Sequence, residues 1–327
     1  MTYDERASQS DKPKIANKPA VQPASLDGRL AGAEDVRLIF FGTEDFSVPA
    51  LESLLKQGWQ VEAVVTKPDV KAGRGQKMRS PRIKKIAKNH RLSLLQPASL
   101  VHFHNELSAL EPSHGVLVSY GKIIPDSILN LFPGGIINVH PSLLPSYRGP
   151  SPIEAAILNG DARTGISLIK LTSGMDEGPI YAQKTLDLGH DETRPDLYSR
   201  LADLGAKFLT DKFPQIVEGS LSPTSQNDKL ATYTKLLKKA DGQVNWQESS
   251  EVIARKVRAY LGYPKSSAKL FGHNIIITKA RVASGPGDGK LLIKCRPGWL
   301  EVCELIAPSG RAMSGGDFLR GYKESKG

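Results

Sequence analysis

Three side chains stand out by type and spacing: Asn138, His140 and Asp176. Asn138 and His140 lie two apart at the end of an apolar run, so on an extended strand end they face the same way. Asp176 sits in Gly174-Met175-Asp176-Glu177-Gly178, where the flanking glycines let its loop approach closely. An amide, an imidazole and a carboxylate are the parts needed to carry a tetrahedral oxyanion and move a proton. Acyl transfer to an amine passes through such an oxyanion, and positioned donors on that oxygen are usually the largest catalytic contribution. The Asn138 amide and a protonated His140 are two such donors, and a neighbouring carboxylate tunes the imidazole. Asp176 is also placed to relay the proton leaving the attacking amine. On these three residues alone, a structural histidine and a turn asparagine at a strand end remain open alternatives.

Positioning them requires strands and tight loops, and the chain supplies both. Residues 36–42, 61–66, 115–120 and 136–139 read as short apolar strands, with helical spacing over 46–57, 82–90 and 125–131. Strand and helix alternating at this spacing predict βαβ units: an α/β, Rossmann-like, mostly parallel sheet. Runs 165–171 and 180–188 fit an antiparallel excursion at the sheet edge, and 196–218 a long closing helix. Residues 219–232 are polar and read as a linker. One helix over 249–260 and short strands at 268–270, 275–279, 290–294 and 300–305 then predict a small OB-like β-barrel. The resulting division is a tail over 1–34, a catalytic domain over 35–218, the linker, and a second domain over 233–322.

Composition removes several function classes. The chain has 327 residues and a net charge of +10. No apolar run reaches the roughly 18 residues of a membrane span. The first 34 residues lack a signal-peptide apolar segment and are too polar to bury a core, so a disordered tail on a cytoplasmic monomer is expected. Cys295 and Cys303 cannot build a disulfide framework or zinc ribbon and are expected as buried thiols. The other histidines show no metal-ligand spacing, and no metal is expected. Gly42 stands alone where a dinucleotide-binding turn needs three glycines, and no Walker-type loop is present.

In a doubly wound sheet, ligands bind beyond the carboxyl ends of the strands. There Asn138-x-His140 is followed by Ser142-Leu143-Leu144-Pro145, Arg148-Gly149, and then Asp176 with Gly178. This combination resembles the signature of the folate-dependent formyltransferases, as do Phe41-Gly42-Thr43-x-Asp45-Phe46 and Tyr120-Gly121-x-Ile123-Ile124-Pro125. The resemblance implies 10-formyltetrahydrofolate as donor and an amine as acceptor. It implies catalytic roles for Asn138, His140 and Asp176, and a folate-lining turn at Ser142, Leu143, Leu144 and Pro145. Glu44, Pro141 and Pro150-Ser151 depart from the family's usual residues.

The acceptor is then a purine-pathway amine, an aminosugar nucleotide or an aminoacylated tRNA. Residues 66–84 carry Lys67, Lys71, Arg74, Lys77, Arg79, Arg82 and Lys84 against one acid, Asp69. A cationic loop on the ligand side of the sheet suits a phosphate backbone. It resembles the Ala-Gly-Arg-Gly insertion of methionyl-tRNA formyltransferases, which implies contact of Lys71, Arg74, Lys77 and Arg79 with initiator methionyl-tRNA. Beyond residue 233, Lys and Arg outnumber Asp and Glu by about two to one, consistent with a nucleic-acid face.

Overall fold

The computed structural model describes residues 36–72 and 77–323. The expectations for the tail and for Arg74 fall outside the described residues.

The first domain is a seven-stranded sheet with helices on both faces. Its chain order is β1 (Leu38–Gly42), α1 (Val48–Lys56), β2 (Val61–Val65), β3 (Val70–Ala72), β4 (Lys77–Arg79), α2 (Arg82–Asn89), β5 (Ser93–Leu95), α3 (His104–Ser108), β6 (His114–Val118), α4 (Asp126–Leu129), β7 (Ile136–His140), α5 (Pro152–Asn159), β8 (Arg163–Lys170), β9 (Ile180–Asp187) and α6 (Arg194–Val217). The sheet order is β5-β2-β1-β6-β7-β8-β9; β8 and β9 run antiparallel, as the edge excursion predicted. β3 and β4 form a separate hairpin inside the basic segment, and β5 is a further strand; neither was visible as an apolar run.

Every residue of β1 and β7 is buried, because helices cover both faces. Phe40, Val64, Val116, Ile137 and Val139 meet α1 and α6 on one face. Ile39, Phe41, Val65, Leu117 and Ile136 meet Leu107 and Ile128 on the other. Burying each such side chain contributes about 1.5–3 kcal/mol. The period-two alternation sends Asn138 and His140 to the second face, beside Ile136.

The sheet order reverses on either side of β1, which opens a crevice at the carboxyl ends of β1 and β6. Thr43 ties its rim together: its hydroxyl donates to the Tyr120 carbonyl at 3.1 Å, while its amide donates to the Ser119 carbonyl at 3.3 Å.

The second domain holds α7 (Ser250–Ala259), β10 (Ser266–Leu270), β11 (His273–Ala283), β12 (Leu292–Lys294), β13 (Trp299–Ile306), β14 (Ala312–Ser314) and α8 (Gly315–Lys323). Ser249 caps α7, its hydroxyl accepting the Val252 amide at 3.2 Å. β13 pairs with β11, β12 and β14, and β10 flanks β11, giving an antiparallel five-stranded sheet. Among the described residues no ladder joins β10 to β12 or β14, so the OB-like sheet is a curled half-barrel. Its concave side closes on Ile253, Val257 and Phe318. Cys295 is buried and Cys303 half-buried, both unpaired; burial pushes both thiols up.

Candidate active site

β7 delivers Asn138 and His140, and the loop between β8 and β9 folds back over them to deliver Asp176. All three side chains are withdrawn from solvent: Asn138 is 6% exposed, His140 5%, and the Asp176 side chain 16%. The Asn138 amide donates to Asp176 Oδ1 at 3.2 Å. Asp176 Oδ2 accepts the Gly149 amide at 2.8 Å and lies 3.6 Å from His140 Nδ1. His140 Nε2 lies 3.0 Å from the Tyr147 carbonyl oxygen. A carbonyl only accepts, so Nε2 carries a proton and Nδ1 is the nitrogen left to gain or lose one.

The backbone needed for this is unusual. Asp176 has φ +53°, and Tyr147 φ +62°. A Cβ on Gly178 would collide with the Lys170 carbonyl, and one on Gly174 with the Glu177 carboxylate. Gly178 is therefore required by close approach to backbone, whereas at Gly174 the Glu177 side chain can swing aside.

The 142–145 turn is built from inside. The Ser142 hydroxyl donates to the Ser146 carbonyl at 2.6 Å, and the Ser167 hydroxyl to the Ser142 carbonyl at 2.6 Å. Gln183 donates to the Leu144 carbonyl at 2.8 Å. Ser142 and Leu144 are buried, so their side chains shape the turn; Leu143 and Pro145 are only half-buried and present surface.

Two groups at the site carried no recognisable role in sequence. Arg148 is 1% exposed; its guanidinium donates to Asp228 at 2.6 Å, to Gln226 at 2.9 and 3.1 Å and to the Tyr233 hydroxyl at 3.1 Å. Tyr147 donates its hydroxyl to Asp161 at 2.6 Å, and burial pushes this phenol up to about 12. Arg148 was visible only as part of the Arg148-Gly149 pair; Gln226 stood among polar linker residues without periodicity, and Tyr233 at the first position of the second domain.

The basic hairpin stands elsewhere on the rim. The backbones of Lys71, Lys77 and Arg79 lie in the paired β3 and β4 strands. Asp69, the lone acid, anchors its base: it accepts Lys84 at 2.8 Å, Ser80 at 2.9 Å and Gln96 at 3.1 Å. Those donors, led by Lys84 and Gln96, hold its carboxyl down at about 2. Lys84 is thereby neutralised within the protein and is subtracted from the cations facing solvent.

A cleft of about 310 Å³ opens between the loops after β5 and β6, lined by Ala98, Leu100, Val101, Lys122, Ile123 and Pro125. Another of about 320 Å³, between α5 and α7, contains none of the three site residues.

Residues 36–212 match the formyl transferase family, and residues 236–323 match the formyl transferase C-terminal domain. A methionyl-tRNA formyltransferase from Chloroflexus aurantiacus is 38% identical over 88% of this chain and 97% of its own. A solved methionyl-tRNA formyltransferase from Clostridium thermocellum has the same fold, with a TM-score of 0.54 at 17% identity over 85% of this chain and 98% of that one. An N-formyltransferase from Helicobacter canadensis, solved with folinic acid and dTDP-3-aminofucose, aligns with a TM-score of 0.64 at 19% identity over 82% and 98%. With both of its domains matched, this chain belongs to the formyl transferase family.

Proposed function

We infer that this protein transfers the formyl group of 10-formyltetrahydrofolate to the α-amine of methionyl-initiator tRNA. The observation that carries the chemistry is the convergence of Asn138, His140 and Gly149 on the Asp176 carboxylate. Asn138 gives one amide proton to Asp176 and keeps the other for an oxyanion. His140 donates from Nδ1 when protonated, and the Asp176 carboxylate stands 3.6 Å from that nitrogen. Asp176 has its oxygens oriented by Asn138 and Gly149, so it is preorganised to accept a proton as the amine attacks. The 3.6 Å distance to His140 is longer than a direct hydrogen bond.

The crevice fits a folate donor. Exposed Ile123 and Val101, 76% and 68% accessible, flank an apolar cleft large enough for part of a flat aromatic. Lys122 gives two protons to the Pro97 and Ala98 carbonyls and retains one for an anionic tail. Half-buried Leu143 and Pro145 supply apolar surface from the other side.

The acceptor reading rests on charge. The basic hairpin and the cationic C-terminal domain suit a phosphate backbone, whose binding weakens with salt. The test is formyl transfer from the folate donor to methionyl-initiator tRNA, free methionine and an aminosugar nucleotide. Transfer to the charged tRNA alone is expected; equal transfer to the sugar nucleotide would overturn the acceptor assignment.

A further inference from the structure

The polar stretch between the two matched segments does more than span them. Thr224 exchanges two backbone hydrogen bonds with Ile180, both 2.8 Å. Further on, the Arg148 amide donates to the Thr232 carbonyl at 2.9 Å, and the Thr234 amide to the Arg148 carbonyl at 2.8 Å. The Thr232 hydroxyl accepts the Tyr147 amide at 2.8 Å. The stretch is thus pinned on both sides of the loop that carries Asp176.

Between those pins stands Gln226. Its amide nitrogen donates to the Asp176 carbonyl at 2.8 Å and the Gly178 carbonyl at 2.7 Å. Its oxygen accepts two N–H groups of buried Arg148. Carbonyls only accept and a guanidinium only donates, so the amide has one permitted orientation and all its capacity is used. Asp176 adopts a left-handed backbone conformation rare for a side-chain-bearing residue, and Gln226 grips that residue's own carbonyl.

We propose that Gln226 is a positioning residue for Asp176: it holds the carboxylate's loop against His140 and ties that loop, through Arg148, to the segment leading into the C-terminal domain. This rests on Asp176 acting in formyl transfer. Gln226→Glu separates the two halves of the grip. A carboxylate still accepts from Arg148 but has nothing to donate to the Asp176 and Gly178 carbonyls, and repels them. When protonated, it regains one donor.

The experiment measures formyl transfer to methionyl-tRNA by full-length wild type, Gln226→Glu, Gln226→Leu and His140→Ala, together with KM for both substrates and the thermal midpoint. Displacing a reacting group by a fraction of an ångström slows chemistry on the order of 10- to 100-fold. For Gln226→Glu that loss is expected in kcat, with both KM values within about twofold and the thermal midpoint near wild type. The ratio of its kcat to wild type should rise as pH falls toward the glutamic acid range, while Gln226→Leu shows no such recovery. A Gln226→Glu kcat within about twofold of wild type and a parallel pH profile would overturn the proposal. So would a loss of kcat that tracks a lowered thermal midpoint with a parallel pH profile, since that marks a structural role alone. An active His140→Ala would instead remove the site reading beneath it, and is told apart by that variant.

Discussion

The site loop and the basic hairpin sit on the same crevice rim and are built on opposite terms. Around Asp176 the side chain and carbonyl are both held: Asn138 and Gly149 on the carboxylate, Gln226 on the carbonyl. The hairpin is held at its base by Asp69, and its strand residues Val70 and Met78 are 58% and 60% exposed. Donors for a developing charge are effective only when fixed and shielded, since water would otherwise compete and reorganisation would consume the gain. A polyanion's backbone is gripped by charge acting over a Debye length of about 8–10 Å, so the cations can stay exposed. Rigid geometry is therefore concentrated around Asp176 and charge density in the basic segment 66–84.

The contrast is broken most severely at His140 and Asp176. His140→Ala and Asp176→Asn are each expected to lower kcat by about 10³-fold, and Asn138→Ala by about 10²–10³-fold, with charged-tRNA binding retained. Single-turnover formylation beside a filter-binding assay checks this; near-normal turnover in any of them would dissolve the distinction between the regions. Gly178→Ala attacks the same region through backbone alone. Its Cβ meets the Lys170 carbonyl, so the Asp176 loop must move. A kcat loss on the order of 10- to 100-fold is expected, accompanied by a lower thermal midpoint.

At the hairpin the expected losses are in binding. Arg74→Ala should reduce use of subsaturating charged tRNA and lower the salt slope of binding by about one, leaving folate affinity in place. An unchanged rate and slope would remove the hairpin from the mechanism. The smallest effect is at Asp69. Its carboxyl titrates at about 2 in the folded protein, below the usual value of about 4. Its contribution to holding the hairpin is present above pH ~4 and is lost as pH falls from there toward 2. Limited proteolysis of the hairpin should thus rise across that window in wild type and stay flat, already raised, in Asp69→Asn.

Much of this was legible along the chain. The antiparallel edge strands fitted runs that broke the βαβ alternation. That alternation and the paired directions of Asn138 and His140 follow from hydrophobic period, since burial on both faces leaves apolar runs that show in sequence. The β3–β4 hairpin did not, because its strands are short, charged and exposed at Val70 and Met78. Ser142 and Leu144 carried a motif's identity without revealing that their side chains turn inward. That Tyr147 would fix the His140 tautomer was equally hidden, because a backbone carbonyl leaves no trace in residue type.

By itself, then, the order of residues determined the sheet, the two domains and the three chemical groups, because local period and residue type encode burial and functional chemistry. Only tertiary structure decided that residues 224–234 return to close the site, and that Gln226 meets Asp176 and Gly178 across sequence separations of 50 and 48. A polar segment without hydrophobic period carries no burial signal; its partners are chosen by where the rest of the chain leaves carbonyls and a buried guanidinium to satisfy.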